Sequence, residues 1–350
     1  MSGLWQRTKQ TAMINTYAQN VSALFKTGVT TEHSFRGYLQ TLLESLLPNY
    51  MAVNEPKRSA CGAPDYALID KKNKIPYAYV EAKDLFDNDL RGVNPKIHKE
   101  QFDRYKKALS HICFTDYLEF HFYVDGEAVD SVCLLEPNSK GGFNVVNEDK
   151  FISVLQSWAD CPMQKITSAS RLAEIMAHKA QLLKVSTLKT LETEENSEIH
   201  DQFATFKQVL INDLTKTSFA DIYAQTIAYG MFAARLHDKT PEDFSRQEAA
   251  TLIPTSNPFL RRIFQNIAGF DLDSRVAWIV DDLAKAFAAT DMDKVMGRYR
   301  QNALHEDPLI HFYEDFLAAY DKNLRKSCGV YYTPQSVVRF IVRAVDNILI

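Results

Sequence analysis

A chain of 350 residues is longer than one ordinary hydrophobic core organises and points to at least two domains. Its composition, 46% hydrophobic and 24% charged, is that of a globular protein, and a net charge of −4 excludes a globally basic nucleic-acid binder, so any DNA contact must come from a local basic surface. The five cysteines (Cys61, Cys113, Cys133, Cys161, Cys328) form no CxxC pair, which argues against zinc, and no 18-residue apolar run predicts a membrane span; a reduced, cytoplasmic setting is expected.

In chain order, residues 3–26 and 31–47 are predicted helices; in the second, Phe35, Leu39, Leu42, Leu43 and Leu46 recur at helical spacing. Strand-like runs follow at 66–70, 77–83, 112–115, 118–124 and 131–135. The turn Lys71-Lys72-Asn73-Lys74 joins the first two, and Asp125-Gly126 joins the fourth and fifth as a hairpin. A helical stretch at 95–110 separates the second strand from the third. After the loop at 136–142 the chain reads as helix almost throughout, with amphipathic runs at 168–193, 195–216, 218–237, 273–289 and 307–323. The expected organisation is an α/β domain over 1–147 (a mixed sheet flanked by helices), an all-α connector over 148–325, and the opening of a third domain over 326–350. An apolar helical pattern reaches Ile350 without a capping signal, so this third domain is expected to continue in a longer protein.

The strongest chemical signal is Pro64-Asp65, then fifteen residues, then Glu81-Ala82-Lys83. Asp65 opens one strand and Glu81 closes its hairpin partner, so two carboxylates can converge on one Mg²⁺, with the Ala82 carbonyl as a third hard oxygen ligand. Residues i and i+2 of a strand share a face, which sets Lys83 beside Glu81, where it can orient an attacking water and offset charge on a phosphorane-like transition state. A salt bridge at a sheet edge, with Asp65 as a turn residue, accounts for the triplet alone equally well. Gln101 and Tyr105 stand one turn apart on the following helix and can each reach a phosphate. Glu32 lies near the apolar stripe of the second helix, where an acid faces either a metal or the helix dipole. A basic segment holding Arg91, Lys96, Lys99, Arg104, Lys106 and Lys107 adjoins the site and can track a DNA backbone.

Together Asp65, Glu81-x-Lys83 and Gln101-xxx-Tyr105 resemble the RecB-like branch of the PD-(D/E)xK nucleases. That resemblance implies a restriction-endonuclease-like fold, Mg²⁺-dependent hydrolysis of double-stranded DNA, and Glu32 as a further site acid; Arg36 and, from the basic segment beside the site, Lys96, Lys99, Arg104 and Lys107 are the expected DNA contacts. Farther along, the 18 residues starting SFADIYAQTIAYG at Ser218, Asn257-Pro-Phe-Leu-Arg-Arg-Ile-Phe264 and the stretch from Asp307 into Gly329-Val-Tyr-Tyr-Thr-Pro334 resemble the connector and methyltransferase start of type IIG restriction-modification enzymes. The resemblance implies an adenine-N6 methyltransferase and a target-recognition domain in the same polypeptide. It also implies an S-adenosylmethionine pocket to which Tyr331, Tyr332, Thr333 and Pro334 contribute. Thr333-Pro334 suits a helix start, with Thr as N-cap and Pro at the first helical position. Neither a glycine-rich cofactor loop nor an Asn/Asp-Pro-Pro-Tyr motif occurs in these residues, and no GxxxxGK[ST] loop supplies an ATP-driven motor. The competing expectation is a catalytically inactive nuclease-fold module that binds DNA and positions it for the methyltransferase.

Overall fold

Helix α1 (Ser2–Phe25) buries Ile14, Tyr17, Ala18 and Val21, a 3–4 residue spacing that keeps one stripe inward. A computed structural model describes residues 2–54, 62–72, 76–94, 96–209, 211–240, 244–252, 264, 272–301, 308–321 and 335–349. The helix expected over 31–47 is divided: a single 3₁₀ turn (Glu32–Phe35) precedes α2 (Arg36–Leu46). The tighter turn is held by the Ser34 N–H on the Thr31 carbonyl at 2.9 Å and the Thr31 N–H on Ser34 Oγ at 3.1 Å.

Six strands form one sheet in chain order: β1 (Tyr50–Asn54), β2 (Tyr66–Asp70), β3 (Pro76–Ala82), β4 (His111–Thr115), β5 (Glu119–Val124) and β6 (Glu127–Cys133). All neighbours are antiparallel except β3 and β4, and α3 (Lys99–Ala108) provides the crossover that a parallel pair requires. Asp125 and Gly126 both take positive φ, 50° and 86°, which is the two-residue hairpin geometry expected of an Asp-Gly pair. Strands β1 and the short pair β7 (Leu135–Pro137) and β8 (Phe143–Val145) had no clear sequence signal. Strands β7 and β8 are three residues each, too short to show an alternating pattern, and β1 is defined by its pairing with β2.

One face of the sheet presents Leu68, Ala78, Val80, Ala82, Cys113, Phe120 and Phe122 to a core shared with α1, α2 and α4 (Glu148–Ala159). Helix α4 follows the boundary expected at 147 and packs on the sheet. Its buried stripe of Phe151, Leu155, Trp158 and Ala159 belongs to the sheet: Phe151 lies 4.6 Å from Phe120, Trp158 lies 5.3 Å from Phe122, and the Trp158 indole donates to the Tyr123 carbonyl at 3.0 Å.

The chain divides into two compact units, the first made of 1–163, 185–216 and 273–282 and the second of 164–184, 217–272 and 283–350. Every named element after β8 is helical, as the sequence led us to expect: α5 (Ala169–Thr193), α6 (Glu198–Val209), α7 (Lys216–His237), α8 (Arg246–Leu252), α9 (Ser274–Ala288), α10 (Met292–Gln301), α11 (Pro308–Tyr320) and α12 (Gln335–Leu349). In the second unit α7 turns Phe219, Tyr223, Ile227, Met231 and Phe232 inward, and Phe232 stacks on Phe312 of α11 at 4.0 Å. The buried Arg235 guanidinium donates from Nε to the Phe287 carbonyl at 3.0 Å. Among the described residues no helix is long and apolar enough to cross a membrane.

Candidate active site

Strand β3 sends Ala78, Val80 and Ala82 to the core described above, so Tyr79, Glu81 and the following Lys83 take the other face. The strand repeat sets Lys83 beside Glu81, and Lys83 Nζ donates to Glu81 Oε1 at 2.6 Å. Hydrogen bonding to β4 continues one residue past β3, with the Lys83 N–H on the Thr115 carbonyl at 2.8 Å, which fixes the backbone under the lysine. The register Tyr66↔Val80, extended by one residue, sets Asp65 opposite Glu81. Asp65 Oδ2 accepts the Ala82 N–H at 2.9 Å. All three charged residues are buried, none more than 6% exposed.

Helix α3 closes the arrangement. Gln101 accepts from Lys83 Nζ through Oε1 at 3.1 Å and donates from Nε2 to Glu81 Oε1 at 2.8 Å, so one amide fixes both charged groups. Tyr105, fully buried one turn on, donates to the Gly62 carbonyl at 2.8 Å and so anchors the segment that leads into Asp65. Burial and the nearby Glu81 carboxylate push the Tyr105 phenol well above its ordinary range, so it remains a donor. Tyr105→Phe removes that donor from a buried carbonyl and is expected to cost about 1–3 kcal/mol, read as a lower denaturant midpoint.

The other expected site residues are placed as follows. Arg36 does not lie on the surface: it is buried at the start of α2, its guanidinium is hydrogen-bonded to Asp65 Oδ1, and its carbonyl accepts the Tyr66 hydroxyl at 2.8 Å. Lys96, Lys99 and Lys107 are exposed, while Arg104 is half-buried with its guanidinium 5.6 Å from the Tyr105 ring centre. Glu32 belongs to the 3₁₀ turn before α2, and its side chain lies outside the described residues, as do Tyr331, Tyr332, Thr333 and Pro334.

One supporting residue carries no signal in the sequence. Asp116, fully buried in the β4–β5 turn, accepts the N–H groups of Leu118 at 3.1 Å, Glu119 at 2.8 Å and Phe86 at 3.0 Å, and pairs with Arg91 at 3.5 Å. Burial pushes its carboxyl up despite these donors. It ties the segment after Lys83 to the sheet and holds Phe86 at a φ of 65°. An Asp between two strands reads as an ordinary turn residue, so only the fold reveals this role. A cleft of about 540 Å³ beside this segment is lined by Thr31, Phe35, Asp84, Leu85 and Phe86, among others.

Among the described residues, two places could hold a divalent ion. The first is the buried pair Asp65 and Glu81, whose hard carboxylate oxygens suit Mg²⁺. The second is Asp87, Asp89 and His98, whose ligand atoms lie within 4.8 Å of one another. There, however, Asp87 already caps the Asp89 and Leu90 N–H groups and Asp89 those of Ile97 and His98, so building the loop into α3 accounts for them.

Fold and site define a mixed α/β unit with a buried carboxylate–lysine–glutamine cluster, alongside a second unit whose named elements are helices. Residues 304–348 match the family described as N-6 DNA Methylase. No curated protein matches the chain. Among solved structures, a chain in a cryoEM structure of a DrdV–DNA complex aligns at 17% identity with a TM-score of 0.31, over 97% of this chain and 32% of that one. The chain thus spans about a third of the length of that solved relative.

Proposed function

We propose that the α/β unit is a Mg²⁺-dependent endonuclease that cuts double-stranded DNA, working in one protein with an adenine-N6 methyltransferase that protects the same DNA. The observation that carries this reading is the buried convergence of Asp65, Glu81 and Lys83, with Gln101 bonded to the last two. The match of 304–348 to the N-6 DNA Methylase family supports the methyltransferase part. It also supports S-adenosylmethionine as methyl donor, with Tyr331, Tyr332, Thr333 and Pro334 as candidates for its pocket. A restriction-modification role in the cytoplasm, PD-(D/E)xK in type, is the biological setting this reading implies.

Asp65 and Glu81, with the Ala82 carbonyl, would hold the Mg²⁺. When bound, that ion supplies Lewis acidity toward a phosphate oxygen and lowers the pKa of a water ligand. Lys83 offers a cation, fixed by Gln101, where negative charge develops on the phosphate. Lys96, Lys99, Arg104 and Lys107 would neutralise phosphates along the duplex, making affinity strongly salt-dependent. Gln101→Ala releases both Glu81 and Lys83 from their common clamp and is expected to slow cleavage roughly 10–100-fold with little change in DNA affinity. Single-turnover rates beside equilibrium DNA titrations check this, and an unchanged rate would remove Gln101 from the site.

A second reading, a nuclease-fold module that only positions DNA, is favoured by one feature: Asp65 already bears the Arg36 guanidinium. Wild-type cleavage of unmodified DNA in Mg²⁺ separates the two readings.

A further inference from the structure

Arg36, Asp65, Glu81 and Lys83 are buried together, at 5%, 3%, 3% and 6% exposure, and their formal charges cancel. Burying a carboxylate away from water is costly unless an opposite charge accompanies it. Lys83 neutralises Glu81 from two residues away on the same strand, whereas Arg36 reaches Asp65 from a different element, α2. The Tyr66 hydroxyl on the Arg36 carbonyl sets the backbone from which that side chain extends. A divalent ion added to this neutral quartet would leave two uncompensated positive charges in a poorly solvated space, with Arg36 among the nearest repelling groups. Asp65 has a second hold, the Ala82 N–H on Oδ2, so its carboxylate stays in place when Arg36 withdraws from Oδ1.

We propose that Arg36 is the resident counter-cation of Asp65, keeping the carboxylate cluster neutral without metal, and that a divalent cation gains Asp65 by displacing the Arg36 guanidinium. This rests on the reading of Asp65 and Glu81 as a metal site, and it makes Arg36 a positioning residue rather than a contact on the DNA surface.

The test is Mn²⁺ binding to the full-length protein without DNA, together with thermal melting in EDTA and in Mn²⁺. Arg36→Met is expected to bind Mn²⁺ about tenfold or more tightly than wild type. It should melt below wild type in EDTA and gain more from Mn²⁺. Arg36→Lys, which keeps the charge, should bind no more tightly than wild type. Equal or weaker Mn²⁺ binding by Arg36→Met overturns the proposal. Should that variant fold in neither condition, the wild type decides. Its buried Arg36 guanidinium signals, assigned by their loss in Arg36→Lys, should shift when Mg²⁺ is added, and unchanged signals overturn the proposal. If Asp65→Asn binds Mn²⁺ as well as wild type does, the metal-site reading itself fails, an outcome distinct from a failure at Arg36.

Discussion

Asp65→Asn is expected to lower the rate of DNA cleavage by about a thousandfold or more while adenine methylation by the same preparation continues. Asparagine is the sharper replacement here. It keeps the size of the side chain and one acceptor oxygen, so either the Ala82 N–H or the Arg36 guanidinium keeps its partner while the carboxylate charge is lost. Asp65→Ala removes both acceptor oxygens as well as the counter-charge of the buried Arg36, a loss that typically costs about 3–5 kcal/mol and confuses lost chemistry with lost folding. Lys83→Met gives an independent arm, because it removes the cation beside Glu81 but leaves Asp65 untouched. Parallel assays of cleavage and methyl transfer decide the matter. Cleavage that persists in both variants removes the site, whereas loss of both activities together marks an unfolded protein.

Trp158→Ala is expected to destabilise the α/β unit by about 3–5 kcal/mol, the range for removing a large, fully buried aromatic side chain. Trp158 packs against Phe122 at 5.3 Å and His111 at 6.1 Å, and its indole satisfies the Tyr123 carbonyl at 3.0 Å. The loss therefore combines a cavity with an orphaned acceptor. Val209→Ala on α6, where the side chain is 71% exposed, should change stability by less than about 0.5 kcal/mol and serves as the control. Calorimetric or denaturant unfolding measures both. If Trp158→Ala melts with the wild type, α4 is not part of the sheet's core.

The elements legible in the sequence were those whose pattern is local. Strand β2 spans 66–70 as expected, the Asp125-Gly126 turn follows from two residues that tolerate positive φ, and α5 and α7 follow from long apolar stripes. What escaped depends on partners far along the chain. Strand β1 is recognisable only through its pairing with β2, and the allegiance of α4 only through Phe120 and Phe122, which lie on another element. The candidate site shows the same division. The spacing of Asp65, Glu81 and Lys83 carries the strand repeat within it, and Gln101 and Tyr105 carry the helical one. Arg36 does not: nothing in Thr31-Glu-His-Ser-Phe-Arg36 announces a buried bond to a carboxylate 29 residues on, and a basic residue beside a nuclease motif suggests a DNA contact instead. Asp116 is hidden for the same reason, since its four partners come from two separate turns.

The central claim is that the buried Asp65–Glu81–Lys83 cluster cuts DNA. Incubating the wild-type full-length protein with unmethylated plasmid DNA in Mg²⁺, beside an EDTA control, tests it most directly. Nicked or linear products are expected in Mg²⁺ and intact plasmid in EDTA. Plasmid left intact in Mg²⁺ by a preparation that still methylates adenine would contradict the claim and leave the unit as a DNA-positioning module.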